Sequence, residues 1–400
     1  MNQAEKHLMT RIQTAKTVPE HIRLSGGWEG VIYREWSFPP DVIEVWDALA
    51  DRSGDIGIFL CYGWFEQWWK AFNAARSLFV AALYEDGTLR AVFPCCLNAV
   101  ANDARKREEI SSLTNDHTCH YDFLVDAGYS HQAIPHFVNL LRMIHPDAEM
   151  HFEYTPSKGG NISAFIEELR RNGLPFHTSG GPWAPWMSLT GDWRTFRDKL
   201  RLKNTMRKCR KRAEAMGKLD FEVIRQCERL DAALDSIFAV EFKSWKRRDG
   251  TAIKCHPEVE NFYRLLAHWA MRHNRLILFV MRLNDTPIAS VYCLIHGQTV
   301  FGIKAGYDEA FGNISPGNLL YEDIFKFLYG SDDVKVFNFL GACEPWKMEW
   351  TQNSYEYGSI RVYPGSLRGW SDYSVKHGWK DFLKRFDAAR QLKSYLDKRK

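Results

Sequence analysis

Leu278-Phe279-Val280-Met281-Arg282-Leu283, then Asn284-Asp285-Thr286, then Ile288 to Ile295, reads as apolar strand, tight polar turn, apolar strand. The same order stands earlier in the chain: Leu78-Phe79-Val80-Ala81-Ala82-Leu83, then Glu85-Asp86-Gly87, then Leu89 to Leu97. Both predict β-hairpins. Each follows an aromatic helical stretch, Phe65 to Arg76 and Phe262 to His273. Each precedes a strand-like segment, at Glu109 to Val125 and Thr299 to Asp308. A helix comes next, at Ser130 to Ile144 and Ser315 to Tyr329, then a short strand at Glu149 to Glu153 and Val334 to Phe339. The matched order of six elements predicts a two-fold internal repeat. The fold class expected is α+β, with a mixed sheet flanked by helices in each half.

Pro182 to Pro185, with Gly180, Gly181 and Gly191, marks the connection between halves. Trp193 to Met216 holds neither Gly nor Pro and predicts a helix that stops at Gly217. A strand, Leu219 to Arg225, and a helix, Arg229 to Trp245, open the second repeat. The expected organisation is a loosely attached segment 1–30, a first unit 31–190, a basic linking helix 191–217, a second unit 218–370 and a basic C-terminal helix 371–400. The last of these rests on the helical spacing of Phe382, Phe386, Ala389 and Leu392.

The 400 residues are 45% hydrophobic and 26% charged, which excludes a disordered, collagenous or coiled-coil chain. The longest apolar run, Ile56 to Phe65, is far below the ~18 residues a membrane helix needs. Met1 to Glu20 lacks the apolar core of a signal peptide. The nine cysteines include no C-x-x-C pair, so free thiols in a reducing, cytoplasmic compartment are expected and a zinc site is not. Charge is unevenly spread. Arg194 to Arg212 nets +9 and Lys376 to Lys400 nets +6, although the whole chain nets only +4. Such stripes suit nucleic acid, an anionic cofactor or an acidic carrier protein. No DNA- or RNA-binding motif accompanies them, so nucleic acid is not the expected partner.

The strongest functional signal runs from Lys304 to Leu320. A strand ends near Asp308, a loop carries Gly312, Asn313 and Gly317, and Ser315-Pro316 opens a helix. Strand, small-residue loop and helix N-terminus make an anion site, because free N–H groups and the helix dipole point at the ligand. The binding group expected there is Gly312, Asn313, Ser315, Gly317 and Asn318.

Several spaced motifs resemble the GNAT acyltransferase superfamily, and more closely a bacterial GNAT-like acetyltransferase domain associated with cellulose or exopolysaccharide biosynthesis. They are Asn204 with Arg207-Lys208; Glu241 with Ser244-Trp245-Lys246 and Gly250; Ile288-Ala289; Lys304 with Tyr307-Asp308; Ser315-Pro316-Gly317; and Asn338-Phe339-Leu340-Gly341 with Trp346-Lys347 and Trp350. The resemblance covers about Asn204 to Trp350. It implies two tandem GNAT-like units in a Fem-like architecture, with the acyl donor in the second and an acceptor or scaffold role for the first. It also implies an acyl-CoA donor between two splayed strands. The family loop has Gln or Arg before Gly-x-Gly, whereas Phe311 to Gly317 offers only Gly312 and Gly317. That departure extends the expected donors to longer acyl-CoAs and to an acyl carrier protein.

Acyl transfer to an amine or hydroxyl needs a proton acceptor and donors for the oxyanion. Asp308 and Glu241 are the candidate catalytic bases. Turn capping is the alternative for Asp308, and an ion pair with Lys246 or Arg247 for Glu241. Lys347 is a candidate for the donor phosphates. Lys304, Tyr307, Trp245 and Trp346 are candidates for the acceptor groove. In the first half, His117, Tyr121 and Asp122 are expected to bind acceptor, and no metal is expected. The acceptor is a small molecule, a polysaccharide or a lipid-linked group. Two other functions fit the same residues: a Fem-type peptidyl transferase using aminoacyl-tRNA, and a non-catalytic GNAT pair that binds a partner.

Overall fold

The computed structural model describes residues 18–74, 76–99 and 108–378. The expected C-terminal helix from Trp379 onward lies outside them. In the first half the order is β1 (Glu20–Arg23), β2 (Trp28–Tyr33), α1 (Pro40–Asp51), α2 (Tyr62–Phe72), β3 (Arg76–Glu85), β4 (Thr88–Ala99), β5 (Glu108–Ser112), β6 (Leu124–Val125), α3 (Ser130–Ile144), β7 (Glu149–Pro156), α4 (Gly160–Arg171) and β8 (Phe176–Ser188). Two helices link the halves, α5 (Trp193–Lys199) and α6 (Lys203–Met216). The second half runs β9 (Leu219–Ile224), α7 (Leu230–Phe242), α8 (Pro257–Arg272), β10 (Leu276–Leu283), β11 (Thr286–His296), β12 (Thr299–Tyr307), α9 (Pro316–Tyr329), β13 (Val336–Asn338), α10 (Pro345–Met348), β14 (Ser354–Val362) and α11 (Leu367–Tyr373). The fold is mixed α+β, and the repeat extends beyond the six expected elements to the strand and helix before each aromatic helix.

Both hairpins form where expected. Their turns place Asp86 and Gly87, and Asn284 and Asp285, at positive φ. Two such residues in a row match the right-handed twist of the flanking strands.

The strands make one continuous sheet in the order β1-β2-β3-β4-β5-β7-β14-β8-β13-β12-β11-β10-β9, with β6 added to β4. The halves exchange their last strands. β14 sits between β7 and β8, while Trp186–Ser188 of β8 pairs with β13. Either half alone would leave a sheet edge unpaired there, and exchange satisfies both. One core fuses the halves: Phe59 packs edge-on to Phe301, and Trp64 to Phe262. A second core lies on the other face of the second-half strands, beneath α9 and α6.

Three local expectations change. Residues 20–33, partly within the segment expected to be loose, form the β1–β2 hairpin. Trp28 there is buried and stacks on His136 at 4.9 Å. The single helix expected over Trp193–Met216 is two, broken where Leu200 is extended. Leu200 and Leu202 both pack on the second core, which one helical face cannot do at that spacing. The strand expected over Glu109–Val125 is broken into β5 and β6 by an excursion at 113–123. Among the described residues no helix is long and apolar enough to cross a membrane.

Candidate active site

β12 and β13 are parallel neighbours across three residues only, Thr299–Phe301 against Val336–Asn338. β13 then ends in a turn with Leu340 and Gly341 at positive φ. β12 continues without a partner on that side, so the two strands open a cleft of 480 Å³. A register shift opposite Tyr292–Cys293 leaves Ile303 as an extra residue and bends β12 at the opening. The Asp308 N–H donates to the Ile288 carbonyl at 2.9 Å. Bonded pairs alternate along an antiparallel ladder, so Ala305 and Tyr307 turn their backbone groups to the open edge. Lys246 Nζ caps the Ala305 carbonyl from that edge at 2.7 Å. The edge therefore presents N–H donors to the cleft.

The start of α9 forms another wall. Ser315 is left-handed (φ 49°, ψ 56°) and its hydroxyl makes no cap bond. Pro316 has no N–H, and Leu319 N–H takes the Ser315 carbonyl at 3.1 Å. The N–H groups of Gly317 and Asn318 are the orphan donors of the helix, and both residues line the cleft. No acidic residue occupies the first turn of α9. A Cβ at Gly312 would meet open space, and one at Gly317 only an ordinary 3.5 Å contact with Tyr307. Both glycines therefore leave room rather than relieve a clash.

The basic helices clamp this wall. Arg212 Nη1 donates to the Asn313 carbonyl at 2.6 Å. Arg197 and Arg210 bind Glu322 at 2.6 and 3.0 Å, and Arg210 also binds Asp323 at 2.8 Å. Part of the charge run is thus structural. Arg207, Lys208 and Lys211 remain exposed, with no ion pair among the described residues.

The sequence candidates divide. Lys304, Tyr307, Trp245 and Trp346 line the cleft, together with Gly312, Ser315, Gly317 and Asn318. Trp245 is 40% exposed, and Trp346 Nε1 donates to Glu344 at 2.5 Å. Lys347 also lines the cleft, but its Nζ is held by the carbonyls of Leu340 at 2.9 Å and Ala342 at 3.1 Å. It stabilises the turn after β13. Asp308 is buried beside the cleft, where one oxygen caps Ala310 N–H at 3.1 Å and the other pairs with Lys243 at 3.0 Å. Glu241 is buried, with Lys246 at 2.9 Å on one oxygen and Ile253 N–H at 2.8 Å on the other. Both carboxylates are engaged by the protein.

The excursion from the first half reaches the same cleft through Asp116 and Cys119. His117 stands just behind, its Nδ1 3.2 Å from Tyr263 Oη. Burial, and then nearby Lys304, lowers the His117 pKa to about 4. Tyr121 and Asp122 are not part of this cleft. Tyr121 is fully buried and donates to the Pro94 carbonyl at 2.9 Å. Asp122 accepts the N–H groups of Asn161 and Ile162 at the start of α4, at 2.8 and 3.0 Å. The alternation of one strand does not apply to them, because the excursion is not a strand.

Tyr263 and Tyr355 were not legible as site residues. Lys304 Nζ lies 5.3 Å from the Tyr263 ring centroid. Tyr355 Oη joins His120 Nε2 at 2.6 Å to Asn338 Nδ2 at 3.0 Å, tying the excursion to the end of β13. Tyr263 occupies an ordinary core position of an amphipathic helix, so spacing alone gives it no signal. Among the described residues no group of three or more His, Cys, Asp or Glu is placed to hold a metal ion.

Residues 201–348 match the acetyltransferase (GNAT) domain family. The match covers β12, the loop, α9 and β13, which carry the cleft. Two solved structures share the fold over most of the chain. FemX superposes with a TM-score of 0.54 at 11% identity, covering 86% of this chain and 97% of its own. A conserved protein of unknown function from Bacteroides thetaiotaomicron gives 0.52 at 8% identity, covering 83% and 99%. No curated protein matches the sequence.

Proposed function

We propose that the GNAT domain transfers an acyl group from a CoA thioester to an amine or hydroxyl, and that the β12–β13 cleft is where it does so. The observation that carries this reading is the open β12 edge beside the unfilled N-terminus of α9. Gly317 and Asn318 N–H would hold the donor's phosphates, where the helix dipole favours negative charge. The open-edge N–H groups of Ala305 and Tyr307 would bind the thioester carbonyl and then the oxyanion. The nucleophile attacks the carbonyl carbon, the C–S bond breaks, and the proton that the amine or hydroxyl loses goes to the departing CoA thiolate. Glu241 and Asp308 act as positioning groups, the first by fixing Lys246 on the Ala305 carbonyl and the second by capping the loop. The acceptor enters from the side where Asp116 and Cys119 of the first half face the cleft. All nine cysteines are free thiols, which suits a reducing, cytoplasmic setting.

A second reading keeps the cleft but changes the donor. The exposed Arg207, Lys208 and Lys211 beside the loop would suit an acyl carrier protein or, in a Fem-type transferase, an aminoacyl-tRNA.

Thermal-shift titration with acetyl-, medium-chain and long-chain acyl-CoA tests both, because a ligand that binds only the folded state raises its stability. The CoA reading expects a shift that Gly317→Glu abolishes. A shift with aminoacyl-tRNA or acyl carrier protein, and none with any CoA ester, would replace it with the second.

A further inference from the structure

Three lysines line the cleft, and two are satisfied by the protein. Lys246 is held by Glu241 and the Ala305 carbonyl, and Lys347 by the carbonyls of Leu340 and Ala342. Lys304 differs. It is half-buried, its ammonium lies over the Tyr263 ring, and it makes no hydrogen bond or ion pair among the described residues. The nearby carboxylates Glu241 and Asp116 favour the ammonium only from a distance, and neither forms an ion pair with it. Glu241 is taken by Lys246 and Ile253 N–H, and Asp116 accepts from Tyr154 Oη at 3.1 Å. Burial pushes the Cys119 thiol up to about 11, so it is neutral, and His117 is neutral as well. Burial, and then Lys246, holds the Lys304 ammonium below its ordinary pKa. A cation desolvated without a partner is costly, and an anionic ligand removes that cost.

Strand alternation says where this cation points. Lys304 and Gly306 share a face of β12. A Cβ on Gly306 would come within 2.8 Å of Glu241 Cα, so that face is the one covered by α7, and Tyr263 of α8 lies on it too. Tyr307 points the other way, against Gly317 at the start of α9. The ammonium and the helix N-terminus therefore stand on opposite faces of the sheet. The gap between β12 and β13 joins them.

We infer that Lys304 binds a carboxylate carried by one of the two substrates, on the sheet face opposite the donor phosphates. This deepens the proposed acyl transfer and rests on it for the identity of those substrates. A phosphate would bring close to two charges and three strong acceptors, more than a single lysine without further free cations beside it can neutralise. Among the described residues that line the cleft there is no arginine, and Lys304 is the one lysine without a protein partner. The carboxylate can arrive on the acceptor, as an amino acid, or on the acyl group, as the half-thioester of a dicarboxylic acid.

Matched pairs that differ only in that group separate the sources. The full chain and its Lys304→Met, Lys304→Arg and Gly317→Glu variants are titrated with succinyl-CoA and butyryl-CoA. They are then titrated, with CoA present and with CoA absent, with a set of amino acids and their carboxamides. The expected result is at least tenfold tighter binding of the carboxylate member in one arm. Lys304→Met should abolish that preference and Lys304→Arg should keep it, with urea midpoints confirming that both variants fold. Preference in the CoA arm places the carboxylate on the acyl group; preference in the amino-acid arm places it on the acceptor. No preference in either arm, or one that survives Lys304→Met, overturns the inference. Wild type that ignores both CoA esters but keeps a Lys304-dependent amino-acid preference would retain the subsite and overturn the CoA donor instead.

Discussion

The two halves of this protein build the same gap and fill it differently. In each, two parallel strands pair over three residues and then part: Glu109–Ser111 with Glu149–His151, and Thr299–Phe301 with Val336–Asn338. In the second half β12 runs on and leaves a cleft. In the first half the equivalent strand breaks after Ser112, and β6 rejoins β4 only at Leu124–Val125. The excursion between them drops Tyr121 and Phe123 into the gap, where both are fully buried. Phe123 packs edge-on to Phe152 and Phe165 at 5.1 Å each. Neither helix start carries an acidic residue in its first turn. Ahead of α3, Asp126 takes the Ala127 N–H and pairs with Arg52 and Arg90. One topology thus yields a core in one half and a cleft in the other, decided by what side chains occupy the gap.

The largest effect should come from unplugging the first half. Phe123→Ala should cost about 3–5 kcal/mol, as an aromatic lost from a closed core does, read from the urea midpoint. If the halves are as distinct as they look, it should leave ligand binding in the second-half cleft unchanged.

Lys246→Met would strip Glu241 of its counter-ion while leaving the carboxylate buried. The expected loss is about 3–5 kcal/mol, and the Lys246→Met/Glu241→Gln double variant should recover most of it. A double variant no better than the single one would deny that the pair is coupled.

The excursion should also make the fold sensitive to acid. Burial lowers His117 to about 4 and His120 to about 3, below the usual 6.5. The unfolded chain then binds more protons than the folded one between those values, so stability is lost as pH falls from about 6.5 towards 4. Replacing His120 by Gln should flatten the dependence of the urea midpoint by an order of 1 kcal/mol or more over that window. An unchanged slope would show that His120 does not titrate with unfolding.

A matched pair of glycine variants compares the helix starts directly. Gly317→Glu should weaken acyl-CoA binding about tenfold or more by calorimetry, because it puts a fixed negative charge at the α9 N-terminus. Gly128→Glu, near the start of α3, should leave that binding within about twofold, although its positive φ will cost some stability. Equal effects would erase the functional difference between the halves.

The smallest effect should be that of Arg207→Ala, Lys208→Ala and Lys211→Ala. Each should change stability by less than about 0.5 kcal/mol, since none has an ion pair to lose among the described residues. A marked loss of carrier-protein or tRNA binding in the same variants would favour those donors over free CoA.

Much of the frame was legible because it is local. The hairpins follow from short apolar runs with polar turns, and the start of α9 from Ser315-Pro316. The loop after β12 was legible through Gly312, Ser315 and Gly317 because a helix N-terminus is made of consecutive residues. Asp308 and Glu241 were identified as acids near the site, but their partners Lys243, Ala310 and Ile253 come from chain folding back. That is why a candidate base and a cap look alike in sequence. Tyr121 and Asp122 were grouped with His117 because they are adjacent and fall where the repeat places the strand equivalent to Thr299–Asp308. An irregular excursion turns adjacent residues in different directions, so adjacency lost its meaning there.

The sequence by itself determined the repeat, the α+β class and the strand–loop–helix that walls the cleft, since each rests on contacts between neighbours in the chain. Only the tertiary structure decided the exchange of β8 and β14, the plugging of one gap and not the other, and the isolation of Lys304. Those depend on which distant side chains arrive to fill space or neutralise charge. Residues 113–123 pack into one half and also reach the cleft of the other, and no local pattern carries that information.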